Sequence, residues 1–182
     1  MQAFQLTAWQ QEPELREVPE PEPGPGQVVV RVGGAGVCHS DLHLLHDYGP
    51  GVLPYPLPFT LGHENAGWVH ALGAGVDRIE VGEPVAVYGA WGCGLCRICR
   101  QGLEQHCERS AEFAGACGGV GRDGGMAPYL LVPSPRLLVP LRDLDPVDAA
   151  PLTDAGLTPY HAVRRSHRAR AAPATAGPRG TA

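Results

Sequence analysis

Residues 91–107 read WGCGLCRICRQGLEQHC, with cysteines at Cys93, Cys96, Cys99 and Cys107. Thiols at this spacing can converge on one point, as a closed tetrahedral Zn²⁺ site of four thiolates requires. A disulfide pair or plain buried thiols are the alternatives, but disulfides need an oxidising compartment. Residues 1–10 lack the basic and apolar regions of a signal peptide. We therefore expect a cytoplasmic protein with a structural zinc in a lobe over residues 91–109.

The sequence around this lobe consists of short apolar segments separated by glycine and proline. The chain has 25 Gly and 19 Pro in 182 residues, which favours turns and short strands over long helices. Strands are predicted at residues 4–9, 28–32, 66–72, 85–88, 126–132 and 137–140. Short helices are predicted at 41–46, after a cap at Asp145 with Pro146, and from Thr153-Asp154 onward. The pattern indicates a mainly β, barrel-like domain with small helices.

Composition excludes some classes of partner. The formal net charge is −5, which gives no electrostatic reason to expect binding to nucleic acid. No run approaches the roughly 18 consecutive apolar residues of a membrane-spanning helix. We therefore expect neither nucleic acid nor membrane as a partner.

Cys38, His63 and Asp154 form a second candidate metal group. A catalytic zinc typically has three protein ligands and leaves the fourth position to water or substrate. Each residue also has an ordinary explanation: a small buried thiol, a hydrogen-bonded histidine and a helix cap. Spacing alone leaves both interpretations open, because the residues are far apart in the chain.

The local motifs favour the metal interpretation. The stretch CHSDLH at 38–43, GHE at 62–64, the cysteine lobe and PLTDAG at 151–156 follow one another in this order. Together they resemble the catalytic domain of the zinc-dependent medium-chain alcohol dehydrogenases. The closest likeness is to bacterial NAD-dependent secondary-alcohol dehydrogenases, which use Asp where other members use Cys. The resemblance covers residues 1 to about 163.

The resemblance implies a fold, a chemistry and a set of roles. The fold would be a GroES-like β-barrel domain over residues 1–163, and members of the family are oligomers. Zn²⁺ would be held twice, catalytically by Cys38, His63 and Asp154 and structurally by the four lobe cysteines. Glu64 would be a carboxylate beside the catalytic metal or its transient ligand, while Ser40 and His43 would relay a proton. The reaction would be oxidation of a primary or secondary alcohol with NAD(P).

No segment of the sequence is predicted to bind the dinucleotide. The one G-x-G-x-x-G match, at 119–124, follows a glycine-rich stretch rather than a strand, so it predicts a glycine loop. Residues 164–182 contain no large apolar residue and carry five arginines, which predicts disorder. One hypothesis is that this tail is a frameshift product and that a Rossmann domain was lost, leaving a truncated chain inactive alone. The alternative function is a non-enzymatic zinc-binding structural or interaction module.

Overall fold

The computed structural model describes residues 1–112 and 117–171. Ten strands are present: β1 (Gln2–Leu6), β2 (Glu14–Glu17), β3 (Val28–Gly36), β4 (Phe59–Thr60), β5 (Glu64–Leu72), β6 (Pro84–Val87), β7 (Cys117–Gly118), β8 (Gly121–Arg122), β9 (Tyr129–Val132) and β10 (Leu138–Pro140). Three α-helices are described: α1 (His39–His46), α2 (Pro146–Ala149) and α3 (Leu157–Ala171). The prediction of a mainly β domain with small helices is confirmed.

The core lies against a five-stranded antiparallel sheet in the order β10-β6-β5-β3-β9. The side chains on one face of this sheet are buried, each at most 2% exposed: Val28, Val30, Val69 and Leu130. Burying a side chain of this size contributes roughly 1.5–3 kcal/mol, so this valine-rich face is a main source of stability. A second sheet, β2-β1-β4, joins the first through Phe4, whose N–H donates to the Met126 carbonyl at 2.9 Å.

Two adjacent glycines let the C-terminal helices approach the central strands. A Cβ at Gly34 would lie 3.1 Å from the Ala150 Cβ and 3.2 Å from the Val147 Cα. The turn at Ala150–Thr153 therefore packs directly on β3 and β5. This contact places the following residue, Asp154, beside the ends of strands that come much earlier in the chain.

Helix boundaries were predicted with mixed success. The cap at Asp145 is confirmed, because its Oδ1 accepts from the Val147 N–H at 2.8 Å with Pro146 in the first turn. The predicted helix start at Thr153-Asp154 is wrong: α3 begins at Leu157. Thr153 belongs to a 3₁₀ turn and Asp154 has non-helical dihedrals, φ −135° and ψ −68°.

The end of the chain also differs from the prediction. Disorder was expected from residue 164, but α3 continues through Ala171. Arginine and alanine are strong helix formers, and this propensity outweighs the lack of large apolar side chains. The Arg164 guanidinium donates to the Tyr160 hydroxyl at 3.0 Å, four residues earlier on the same helix. Residues 172–182, which complete the predicted disordered tail, lie outside the described residues.

Within residues 1–112 and 117–171, no helix has the length and apolar character needed to cross a membrane.

Candidate metal centres and the adjoining cavity

The four lobe cysteines converge as their spacing predicted. Their sulfur atoms all lie within 4.8 Å of one another, and the Cys93 and Cys99 Sγ atoms are 3.9 Å apart. Four ligands about 2.3 Å from a tetrahedral Zn²⁺ would be about 3.8 Å apart. All four thiols are free, and 3.9 Å is far longer than the roughly 2.05 Å of a disulfide bond. The geometry therefore suits a four-thiolate ion site and not a disulfide pair.

Backbone N–H groups surround these sulfurs. Cys93 Sγ accepts from Cys96 N at 3.2 Å and from Leu95 N at 3.4 Å, and these hydrogen bonds lower the pKa of Cys93 to about 6. Burial instead raises the pKa of Cys99 to about 12. Since a buried thiolate needs a compensating charge, a dication at the centre would stabilise all four in deprotonated form.

The lobe is attached to the main sheet by an ion pair. Glu104 accepts from the Gly92 N–H at 2.8 Å and pairs with Arg136. The Arg136 guanidinium also donates to the Gly92 carbonyl. Gly92 directly precedes the first lobe cysteine, so this network fixes where the lobe begins.

Cys38, His63 and Asp154 also meet at one point. Cys38 caps α1, His63 lies between β4 and β5, and Asp154 lies between the 3₁₀ turn and α3. Asp154 Oδ2 is 3.4 Å from His63 Nε2 and 3.5 Å from Cys38 Sγ, and the three ligand atoms lie within 4.8 Å of one another. Ligands of one tetrahedral zinc would be about 3.3–3.8 Å apart. These spacings leave room for a single shared ion.

The environment of His63 provides a separate test of that fit. Its side chain is 6% exposed, and neither ring nitrogen has a hydrogen-bond partner among the described residues. Buried polar atoms are normally satisfied, so an unpartnered Nε2 facing a thiol and a carboxylate is the expected state of a metal ligand without its ion. Burial alone lowers the pKa of His63, but contacts with Asp41 and Cys38 outweigh it and raise the pKa to about 9.

Asp41 is a site residue that sequence reasoning missed. Its Oδ2 accepts from the Cys38 N–H at 2.9 Å, and its Oδ1 lies 3.4 Å from His63 Nδ1. One buried carboxylate thus hydrogen-bonds the backbone of Cys38 and lies within ion-pair distance of the His63 ring. The available signal was its position three residues after Cys38, where an acidic side chain can return to the capping residue's N–H.

Asp41→Asn is expected to weaken metal binding at the three-residue group by about 10–100-fold, because an amide orients His63 less firmly and carries no charge. Metal affinity would be measured by competition with a chromophoric chelator. Asp77→Asn, a change in an exposed loop, is the matched control and should leave the affinity unchanged. Equal affinities for wild type and Asp41→Asn would contradict this role.

Glu64 lies beside the three-residue group without contributing to it. It is 2% exposed, and its Oε1 accepts from the Ala155 N–H at 2.9 Å, one residue after Asp154. Gly36 makes room for it, since a Cβ there would be 2.2 Å from Glu64 Oε2. In this arrangement Glu64 holds the segment that carries Asp154.

The G-x-G-x-x-G match packs on the backbone at His63 and opens no helix, but it was not fully predicted: β7 directly precedes it and β8 lies within it. Gly119 has φ +86°, and a Cβ there would lie 2.4 Å from the Gly62 carbonyl carbon. The Gly125 N–H donates to the Gly62 carbonyl at 2.9 Å. The loop supports the backbone of the candidate metal ligand and is too closely packed to receive a pyrophosphate.

Ser40 and His43 lie on the cavity side of the group. Ser40 Oγ is 3.8 Å from Cys38 Sγ, and Ser40 and His43 line the cavity. His43 is half-exposed and its Nδ1 pairs with Asp47. Within the described part of the chain, Ser40 and His43 share no hydrogen bond, so a bridging hydroxyl or water would have to connect them.

A cavity of about 710 Å³ opens beside the three-residue group. His63 and Asp154 form part of its wall, together with Tyr48, Tyr55 and Leu53. The four lobe cysteines are not among its lining residues. One candidate metal group is therefore enclosed, whereas the other faces a space that can admit a small molecule.

Metal binding at the three-residue group is expected to tighten as pH rises toward about 9, the pKa of His63. Zinc requires the neutral imidazole, so below that pKa a proton must leave before the metal binds. His63 alone should weaken binding about tenfold for each pH unit below 9. Chelator competition between pH 6 and 9 measures the slope, and a flat or falling affinity would contradict the assignment.

Known proteins resemble this chain in sequence and fold. Residues 24–143 match the family described as Alcohol dehydrogenase GroES-like domain. A D-arabinose 1-dehydrogenase (NADP(+)) from Saccharolobus solfataricus is 40% identical over 152 residues, covering 84% of this chain and 42% of the relative. An NAD-dependent alcohol dehydrogenase from Sulfurisphaera tokodaii is 38% identical, covering 91% of this chain and 48% of the relative.

Solved structures agree with the sequence relatives. The alcohol dehydrogenase of Aeropyrum pernix superposes with a TM-score of 0.82 at 37% identity, covering 92% of this chain and 48% of that protein. The chain spans about half the length of the curated relatives it matches. With the family match extending over most of the described strands, the chain belongs to the alcohol dehydrogenase GroES-like domain family.

Proposed function

We propose that this chain is the catalytic domain of a zinc-dependent, NAD(P)-linked alcohol dehydrogenase. The observation that carries the proposal is the convergence of Cys38, His63 and Asp154 beside an open cavity. One thiolate, one imidazole and one carboxylate are a donor set suited to zinc, with a fourth position left for a ligand. The names of the relatives supply the reaction class.

The chain's own residues would bind and orient the reactants. Cys38, His63 and Asp154 would hold a Zn²⁺ that, when bound, lowers the pKa of an alcohol hydroxyl. Ser40 lies next to Cys38 and would accept the proton that the alcohol releases, because a hydroxyl can accept one proton while donating another. His43, half-exposed and paired with Asp47, would pass it to water.

The second zinc would be structural. Cys93, Cys96, Cys99 and Cys107 would form a closed site with no position open to substrate. The network of Glu104, Arg136 and Gly92 would hold this lobe against the domain.

No described residue is assigned to the dinucleotide. The single glycine motif packs against Gly62 and does not open a helix, so it does not fit the dinucleotide fingerprint. The NAD(P) dependence is inferred from the names of the relatives. The domain boundary at residue 163 and the origin of the tail stay predictions.

The proposal can be tested without a dinucleotide, by measuring alcohol binding at the metal. The chain would be loaded with Co²⁺, which takes similar ligands to zinc and has a visible spectrum, and titrated with 2-propanol. We expect a saturable spectral change that Asp154→Ala abolishes and Asp148→Ala, an exposed residue on α2, retains. A spectrum insensitive to alcohol, or binding of a single metal in the lobe, would instead favour the non-enzymatic zinc module.

A further inference from the structure

One part of the cavity wall is formed mainly by apolar and aromatic side chains. Leu44, Leu53, Tyr48 and Tyr55 line it and pack on the cluster formed by Leu6, Phe59 and Leu61. Val120 also lines the cavity and packs on the same cluster. These side chains are held by the core, so they present a preformed apolar surface to whatever enters the cavity.

The polar groups of the cavity are concentrated elsewhere. Ser40, His43 and Asp154 lie on the side of the metal group, Thr158 and His161 are contributed by α3, and Gln105 is contributed by the cysteine lobe. Among the described lining residues there is no arginine, and Asp154 is the sole carboxylate. A phosphate or carboxylate on the far side of a substrate, away from the metal group, would therefore find no arginine or lysine to pair with.

Two tyrosines give the apolar side an aromatic character. Burial raises the pKa of Tyr55, and the nearby Cys117 and Tyr48 add to the shift, so its hydroxyl stays neutral. Tyr48 packs on the same cluster. Aromatic rings at a pocket wall favour a flat apolar group beyond simple burial, because ring pairs adopt favourable stacked or edge-to-face arrangements.

From this separation we infer that the site selects alcohols with one hydroxyl and an aromatic or branched apolar substituent, over polyols, sugars and phosphorylated alcohols. The inference rests on the proposed function, because the hydroxyl is placed at the metal held by Cys38, His63 and Asp154. The substituent then lies against Tyr48, Tyr55 and Leu53. A polyol would bury additional hydroxyls against these side chains without enough partners, which is costly.

The test compares benzyl alcohol with xylitol on the Co²⁺-loaded chain, followed by visible absorption, with ethanol as a small reference ligand. Benzyl alcohol is expected to bind at least about tenfold more tightly than xylitol. Equal affinities, with ethanol still producing a saturable change, would overturn the selectivity while leaving the proposed function intact. No response to any of the three alcohols would overturn the proposed function and this inference together.

Variants locate the binding surface. Tyr55→Ala is expected to weaken the binding of benzyl alcohol about three- to tenfold, because the ring contact is removed. The affinity for ethanol should be unchanged. Tyr55→Phe keeps the ring and should retain benzyl alcohol binding, which guards against a loss caused by misfolding. Tyr160→Ala is the matched control, since Tyr160 is exposed on α3 and does not line the cavity. Unchanged binding of benzyl alcohol in Tyr55→Ala would overturn the assigned surface.

Discussion

Replacing Cys107 by serine is expected to remove one zinc per chain and to unfold the lobe. The lobe has little core of its own: its helical segments are single 3₁₀ turns, and Leu95 and Leu103 are exposed. Its order must therefore come largely from the metal, whose binding carries apparent free energies of about 10–16 kcal/mol in zinc-finger peptides. Removing one of four ligands should lower the lobe's zinc affinity by at least about a thousandfold.

Metal analysis and thermal unfolding with and without a chelator measure this effect. Cys117→Ser is the matched control, because Cys117 is also a buried free cysteine but lies outside the cluster. We expect the control to retain the wild-type zinc content. A Cys107→Ser chain with full zinc content and an unchanged melting temperature would show that the lobe is held by packing alone.

Replacing His63 by alanine is expected to abolish metal binding at the second group while leaving the lobe zinc in place. His63 provides the one nitrogen ligand, and its loss leaves a thiol and a carboxylate that cannot hold zinc tightly. The zinc content should fall from two per chain to one. The affinity of the remaining binding phase should match that of the lobe.

The control for this change is His70→Ala. His70 is exposed on β5 and contacts the Tyr129 ring. Its replacement tests whether the loss of any histidine from this part of the chain lowers the zinc content. It should keep two zincs. Equal metal contents in His63→Ala and wild type would exclude His63 as a ligand.

The parts of the fold predicted from sequence were those with strong local signals. The run at 28–32 is β-branched and ends in two glycines, and it forms most of β3, an inner strand of the main sheet between β5 and β9. The cap at Asp145 was recognised for the same reason, since the cap and the following Pro146 act within one turn. The strand β2 was missed because its residues, ELRE, are exposed and show no apolar alternation. The strand β4 was missed because it has two residues and pairs with β1 through contacts distant in sequence.

The two metal groups differ in how far the sequence could predict them. The lobe cysteines lie close together in the chain, so their spacing alone indicated a common centre. Cys38 and Asp154 are brought together by the packing of the Ala150–Thr153 turn on β3, which no local pattern encodes. Motif resemblance identified Cys38 and Asp154. Asp41 was not predicted because its role depends on a contact with His63, which is distant in sequence.

The central claim is that one divalent ion is shared by Cys38, His63 and Asp154. Crystals of the zinc-loaded chain, measured on both sides of the zinc absorption edge, test it most directly. We predict two anomalous peaks per chain, one within the four lobe sulfurs and one about 2.0–2.3 Å from Cys38 Sγ, His63 Nε2 and an Asp154 oxygen. A peak in the lobe alone, with the three side chains in their present positions, would contradict the account.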